Sequence, residues 1–332
     1  MSYDLYLYKG RGGKRDLATK NLMAMLTVRP LEVKDLRSFL DSYEYFNNFA
    51  NVRNGFDAGY HNKDTGTMFR ISMRPETIVA LEAKKSFPDF NYTGLKATIS
   101  FLRPSYFGHE AAPIIEAICE RYGLYVLDPQ YETEPKKMSA ADIIKSWESA
   151  NETVTRSAAA RTWSDSISNI SHDLLKDIGR YMPKEKSLEW WAYTVKRRKV
   201  ENYLKTASIR VNMKAFAVKV SLPELKILYR IADRKLLRVV TLSPDAAGYI
   251  IPLCDAFILT RKGEGPRMVM SDMVRPAIER YLKPWTFAGL EFMVLTAQDA
   301  QKIALEIRER DFETPNSYES LTPGSYTDVD IQ

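Results

Sequence analysis

The alternation of apolar and polar side chains is clearest in one stretch, which predicts a strand, a helix and a second strand in succession. Ala97, Ile99 and Phe101 point one way and Thr98, Ser100 and Leu102 the other, which is the period of two that is typical of a half-buried strand. Pro104 then interrupts the ladder, and residues 112–122 place their apolar side chains at helical spacing. Gly123 stands where a left-handed residue commonly ends a helix, and the apolar run Leu124–Leu127 is typical of a short strand.

Similar patterns along the whole chain predict an α+β fold, with two mainly antiparallel sheet domains, packed helices and a helical connection between the domains. Residues 1–130 are expected to form the N-terminal α+β domain, residues 131–205 a helical linker region, and residues 206–310 the C-terminal α+β domain. The first boundary is placed at Tyr131–Lys137, which is polar and broken by proline. Residues 311–332 are rich in Thr, Pro, Ser and acids without a helical period, and predict an acidic disordered tail.

Composition indicates an ordinary globular protein of the cytoplasm. The apolar content is 45% and the charged content 27%, and no apolar run approaches the roughly 20 residues that a membrane span needs. The chain opens directly as a strand, without a basic leader or an apolar signal segment, so we expect no membrane association and a cytoplasmic location. Cys119 and Cys254 fall in apolar surroundings and are expected to be buried thiols in a reducing compartment.

The formal net charge of +6 is unevenly distributed. Residues 311–332 contain five acids and no Lys or Arg, so the rest of the chain is the more strongly basic part. A basic body can reflect a polyanionic partner, an acidic protein partner or only the need for solubility. Because the basic residues do not gather in one run, we favour solubility or a protein partner over nucleic acid.

The chemistry-bearing residues do not form a recognisable catalytic or metal-binding motif. The three histidines lie far apart and no Cys-x-x-Cys pair is present, whereas a structural zinc site needs about four matched ligands. Cys254 precedes Asp255, whose charge would raise rather than lower the pKa of the thiol. We therefore expect no enzyme activity, no metal and no cofactor. The alternative, an unrecognised active site, would need His109, Arg103 and a carboxylate in one cleft.

Two surfaces are candidates for binding a partner, because Trp, Tyr and Arg are the residue types that carry most interface energy. The first is the corner after the predicted strand, with Arg103, Tyr106, Phe107 and His109. The second lies on the predicted helix 187–204, and its residues are Trp190, Trp191, Arg197 and Arg198.

The same helix supports a second hypothesis. Aromatic and basic side chains together could stack on bases and contact phosphates, so nucleic-acid association through residues 187–204 is the alternative function. Against it, the four consecutive basic residues Lys196–Lys199 spread around a helix rather than marking one face.

Several segments carry a resemblance to known proteins. Tyr3–Tyr8, Phe101–Gly108 and Leu124–Gln130 resemble the N-terminal part of uncharacterised bacterial proteins, some of which look like immunity proteins of polymorphic-toxin or type VI secretion systems. Glu189–Arg198 and Ile251–Leu259 resemble the C-terminal part of the same proteins. The resemblance implies a cytoplasmic antidote that binds a cognate toxin and blocks it sterically, and it transfers no functional residue. Antidotes to nucleases are often acidic, so the basic body argues against a nuclease toxin.

Overall fold

The structure is a computed structural model of the chain. It describes residues 2–11, 31–52, 55–74, 87–162, 176–210, 220–242, 248–260, 265–287, 290–307, 312–313 and 317–331. The chain divides into two compact units, here called unit 1 (Met1–Gly179 with Gly324–Gln332) and unit 2 (Arg180–Pro323). The predicted α+β class is confirmed in both units.

Unit 1 contains a six-stranded sheet in the order β2-β3-β4-β5-β1-β6, in which every neighbouring pair is antiparallel. Its strands are β1 (Ser2–Gly10), β2 (Phe46–Val52), β3 (Gly55–His61), β4 (Met68–Met73), β5 (Phe90–Ser100) and β6 (Leu124–Leu127). The helices described in this unit are α1 (Val33–Asp41), α2 (Tyr106–Tyr122) and α3 (Ala140–Thr162). The strand, helix and strand predicted around residues 97–127 correspond to β5, α2 and β6, and Gly123 ends α2 with φ 61° as expected.

The inner face of this sheet is apolar because cross-strand register aligns its large side chains. Tyr3 lies opposite Ile99, Ile99 opposite Phe69, and Phe69 opposite Tyr60, and all four are buried. The helices cover this face, and α2 and α3 approach closely at Gly108. A Cβ atom there would lie 2.8 Å from the buried Trp147 ring, so only glycine fits without rearrangement.

Unit 2 is built on two mixed sheets with helices α4 (Lys184–Arg210), α5 (Ser271–Tyr281) and α6 (Ala297–Glu306). One sheet has the order β12-β11-β9-β8-β15 and the other β13-β14-β10-β7. Their strands are β7 (Val220–Ser221), β8 (Leu225–Arg230), β9 (Lys235–Leu242), β10 (Gly248–Ile250), β11 (Ala256–Thr260), β12 (Pro266–Met270), β13 (Lys283–Phe287), β14 (Leu290–Thr296) and β15 (Tyr318–Ser320). The β9/β11 and β7/β10 pairs are parallel and the others antiparallel.

The predicted domain boundaries need correction. Residues 131–205 do not form a separate helical region, because α3 belongs to unit 1 and α4 to unit 2. The supposed linker Tyr131–Lys137 is a turn inside unit 1. Lys136 exchanges backbone hydrogen bonds of 2.8 and 3.0 Å with Val126, which ties the turn back to β6.

The predicted disordered tail is also wrong for the residues of 311–332 that the structure describes. Tyr318–Ser320 forms β15 and pairs with β8, while Tyr326 and Thr327 are fully buried in unit 1. The composition misled because some acidic side chains of this segment pair internally: Asp328 with Ser105, and Glu319 with Arg180. None of the helices in the described parts of the chain is both long and apolar enough to span a bilayer.

Candidate partner-binding site

The corner at the start of α2 is mostly buried, which corrects the expectation of an exposed contact surface. Tyr106 and Phe107 are 0% and 1% exposed. The Tyr106 hydroxyl donates a 2.9 Å hydrogen bond to the Thr65 carbonyl, and burial raises the pKa of this phenol far above its ordinary value. His109 is half-buried, and its Nε2 lies 3.3 Å from a carboxylate oxygen of Glu148. These side chains therefore serve packing and internal hydrogen bonds.

The corner is instead the docking place of the last residues of the chain. The buried carboxylate of Asp328 accepts hydrogen bonds from Ser105 N (2.8 Å) and Ser105 Oγ (3.1 Å), and so caps the N-terminus of α2. One nitrogen of Arg103, Nη1, donates to Asp177 Oδ2 and to the Gly324 carbonyl, each at 3.0 Å. Asp177 and Gly324 stand just outside the two ends of the segment that forms unit 2. Arg103 thus binds both the segment by which the chain leaves unit 1 and the segment by which it returns.

The residue before Arg103 has a strained backbone conformation. Leu102 has φ 62°, a left-handed conformation that is uncommon for a residue other than glycine. The side chain of the buried Asn151 holds it, because Asn151 Oδ1 accepts from Leu102 N and Asn151 Nδ2 donates to the Arg103 carbonyl, both at 2.8 Å. The turn thus directs the Arg103 side chain towards the Gly324 carbonyl.

The second group of predicted contact residues lies on α4 in unit 2 and is also engaged internally. Trp190 is 2% exposed and its Nε1 donates a 2.6 Å hydrogen bond to the Leu225 carbonyl. Arg197 Nε donates to the Leu222 carbonyl at 3.0 Å, and the same group pairs with Glu201. Trp191 and Arg198 are half-buried. Four of the eight predicted contact residues thus lie in unit 1 and four in unit 2. The contacts described above join them to other residues of their own unit.

Unit 2 also holds an ion network, centred on the largely buried Arg238 and Asp255, that the sequence did not reveal. Arg238 lies 3.1 Å from Asp255 Oδ2 and 2.6 Å from Glu189, and Lys186 reaches Asp255 at 2.7 Å. Burial alone would raise the pKa of Asp255, but the hydrogen bonds from Arg238 and Lys186 outweigh it and hold that pKa below its ordinary value. Burial raises the pKa of the adjacent Cys254 thiol to about 12, so the thiol stays protonated at neutral pH. These four charged side chains therefore form a structural ion-pair network.

Part of the outer face of the six-stranded sheet carries polar side chains. Asp4 Oδ1 accepts from Thr98 Oγ1 at 2.8 Å, and Lys96 approaches Asp4 Oδ2 at 3.5 Å. Arg70, in register with Thr98, is exposed. This polar strip (Asp4, Lys96, Thr98 and Arg70) lies back to back with the apolar inner face, as the period of two requires.

A depression of about 350 Å³ opens at one end of the polar strip, between the start of β1 and the turn after β6. Its lining residues are Ser2, Asp4, Leu127, Pro129, Gln130, Glu132 and Thr133. The carboxylates, hydroxyls and amide around an apolar floor can receive a basic or amide-bearing side chain together with its aliphatic stem.

Asp128, which is fully buried, holds the turn that forms one wall of this pocket. Its Oδ1 accepts from Gln130 N at 3.0 Å, and its backbone carbonyl accepts from Glu132 N at 2.8 Å. Its Oδ2 accepts from the Tyr3 hydroxyl at 2.5 Å and from Ser146. Burial, and then the hydrogen bond to Asp128, raise the pKa of Tyr3 well above its ordinary value, so the phenol remains a donor.

Sequence reasoning missed the pocket residues. The alternation of Ser2 and Asp4 with buried Tyr3 was a usable signal, since it places the polar pair on the solvent side of β1. The residues after β6 carried no such signal, because their composition is that of a linker. Within the described ranges, no group of three or more His, Cys, Asp or Glu side chains is placed to hold a metal ion.

Comparison of the chain with protein-family models, with curated proteins and with solved structures finds no match in any of the three.

Proposed function

We propose that the protein is a non-catalytic cytoplasmic binding protein, an immunity protein that neutralises a secreted bacterial toxin by binding it and blocking it sterically. The observation that carries the proposal is the preformed pocket at the end of the polar strip. The segments Tyr3–Tyr8 and Leu124–Gln130, which contribute residues to this pocket, resemble uncharacterised bacterial proteins, some of which look like immunity proteins, and this points to the same class of partner.

Preorganisation favours tight binding at this pocket. The Asp128 carboxylate and carbonyl already fix the turn that forms one wall, so little conformational entropy is lost when a partner binds. Tyr131 stands between two lining residues of this turn and is 49% exposed. An exposed aromatic ring beside a polar pocket is the kind of residue that supplies a large share of binding energy.

The pocket favours a basic group on the partner. Asp4 and Glu132 place carboxylates on its rim, and each forms an ion pair with a partly exposed lysine, Asp4 with Lys96 and Glu132 with Lys136. Exposed ion pairs of this kind contribute about 0–1 kcal/mol. An incoming Arg or Lys can therefore replace the internal lysine at little cost, whereas an acidic group would meet like charge.

Co-expression with the product of the neighbouring gene tests the proposal. We expect the wild-type protein to co-purify with that product and to restore growth of cells that produce it. Tyr131→Ala should weaken the complex at least about tenfold, which corresponds to about 1.4 kcal/mol. Leu305→Ala, at an apolar residue of unit 2 that is 73% exposed, is the matched control and should protect as the wild type does. Absence of both binding and protection would refute the proposal.

Nucleic-acid association through helix 187–204 is the second candidate and stays a prediction. The exposed basic positions Lys196 and Lys199 are the observation in its favour, whereas the buried Trp190 ring has no face available for stacking on a base. A salt titration of DNA and RNA binding decides it, because phosphate contacts must weaken steeply as salt rises.

A further inference from the structure

Exposed edge strands can pair with another chain, and proteins usually carry features that prevent this. Most of the edge strands in the described part of this chain have such features. The edge strands β7 and β15 have only 2 and 3 residues. The edge strand β13 begins Lys283-Pro284, a charge followed by a residue without a backbone N–H. Short length, lysine and proline are each devices that discourage pairing with another chain.

Two further edges are covered by the chain itself. Beyond β6, Lys136 forms an antiparallel bridge with Val126, and beyond β12, Glu313 forms one with Met268. These bridges occupy backbone groups that would otherwise face outward, with N–O distances of 2.8 and 3.0 Å for the first and 2.7 and 3.2 Å for the second.

The edge strand β2 differs from all of these. It has seven residues, Phe46-Asn47-Asn48-Phe49-Ala50-Asn51-Val52, without a charge or a proline. In the part of the chain that the structure describes, β2 pairs with β3 on one side and with no strand on the other. Asn47, Asn48, Ala50 and Asn51 are exposed. A long, neutral, proline-free edge is the kind that accepts another strand.

We infer that β2 is the interface through which two copies of this chain pair, antiparallel and about a twofold axis, so that two six-stranded sheets become continuous. A second copy fits because the seven residues of β2 themselves carry no charge that would meet its own image across the axis. Register supports it as well, because the strand is regular after the bulge between Phe46 and Asn48. With the axis at Ala50, Phe49 of one copy meets Asn51 of the other, and because these residues lie two positions apart they share one face.

The size of the edge predicts a weak dimer that depends on concentration. Helix α1 flanks the strand, since Arg37 donates to Asn51 Oδ1 at 2.9 Å and lies 5.1 Å from the centre of the Phe49 ring. Two Arg37 side chains would approach the axis on the same face, and their repulsion limits affinity. A paired strand with one flanking helix on each side also buries less than the roughly 1,200–2,000 Å² of a standard stable interface.

Sedimentation velocity on the full chain, over a concentration series from low to high micromolar, tests the inference. The average mass should rise from 38.1 kDa towards twice that value. Ala50→Lys places two lysines face to face at the axis and should raise the dimer dissociation constant at least about tenfold. Ala192→Lys, the same change at an exposed alanine of α4, is the matched control and should leave the constant unchanged.

Circular dichroism and the melting temperature of Ala50→Lys should match the wild type, which separates a lost interface from a lost fold. A wild-type chain that stays monomeric at every concentration overturns the inference, and the edge is then open or reserved for a different protein. A dimer that Ala50→Lys leaves intact overturns it equally, because the interface must then lie elsewhere.

Discussion

Replacing Asp328 with alanine tests whether the C-terminal segment is part of the folded N-terminal unit. The carboxylate is 6% exposed and accepts both the backbone N–H and the hydroxyl of Ser105 at the first turn of α2. Loss of a helix N-cap costs about 0.5–2 kcal/mol. Leaving a buried donor unsatisfied costs about 1–3 kcal/mol, and the two effects overlap because they concern the same N–H. We expect Asp328→Ala to destabilise unit 1 by about 2–3 kcal/mol.

Urea unfolding and hydrogen exchange of the α2 amides provide the measurements. A loss of this size corresponds to a melting temperature lower by about 4–12 °C for a unit of this length. Asp328→Asn keeps an oxygen acceptor but not the charge, so it should lose about half as much, since charge-assisted hydrogen bonds are roughly twice as strong as neutral ones. Asp330→Ala removes the same charge from an exposed position and serves as the control. Equal stability of Asp328→Ala and Asp330→Ala, or unchanged hydrogen-exchange protection in α2, would refute the capping role of Asp328.

Three further predictions follow from buried groups. Burial raises the pKa of Cys119 and Cys254 to about 12, so both thiols should resist a thiol reagent at pH 8 in the folded chain and react quickly in urea. The lowered pKa of Asp255 stabilises unit 2 fully above the unfolded pKa of ~3.9, and this contribution is lost as the pH falls through the folded value. Asp255→Asn should flatten that acid dependence in a urea series and cost about 1.5–3 kcal/mol at pH 7, because Arg238 loses one charged hydrogen-bond partner but keeps Glu189. Gly108→Ala should lose about 1–3 kcal/mol in thermal unfolding through overlap with the tryptophan ring of α3, whereas Gly265→Ala, with open space around its Cβ position, should be neutral.

Local periodicity was sufficient to predict much of the architecture. The α+β class, the strand before Pro104, and the helix that Gly123 ends all depend on side chains a few positions apart, and all three are confirmed. The C-terminal segment could not be predicted in this way. The partner of Asp328 is Ser105, 223 positions earlier, and neither residue marks the other in the sequence. Composition alone therefore made a buried capping segment look like a solvated tail.

The candidate site shows the same limit. Arg103 and Tyr106 were chosen because their residue types favour interfaces, and the structure uses both inside unit 1. The pocket, by contrast, joins β1 to a turn more than 120 positions away, and the Tyr3–Asp128 hydrogen bond that shapes it spans 125 positions. Only the polar face of β1, with Ser2 and Asp4, left a signal in the sequence.

A binding titration between the purified protein and the product of the neighbouring gene tests the proposed immunity function. We expect saturable one-to-one binding that Tyr131→Ala weakens at least about tenfold, while Leu305→Ala leaves the affinity unchanged. Absence of binding by the wild-type protein, or binding that Tyr131→Ala does not weaken, would contradict the proposed function.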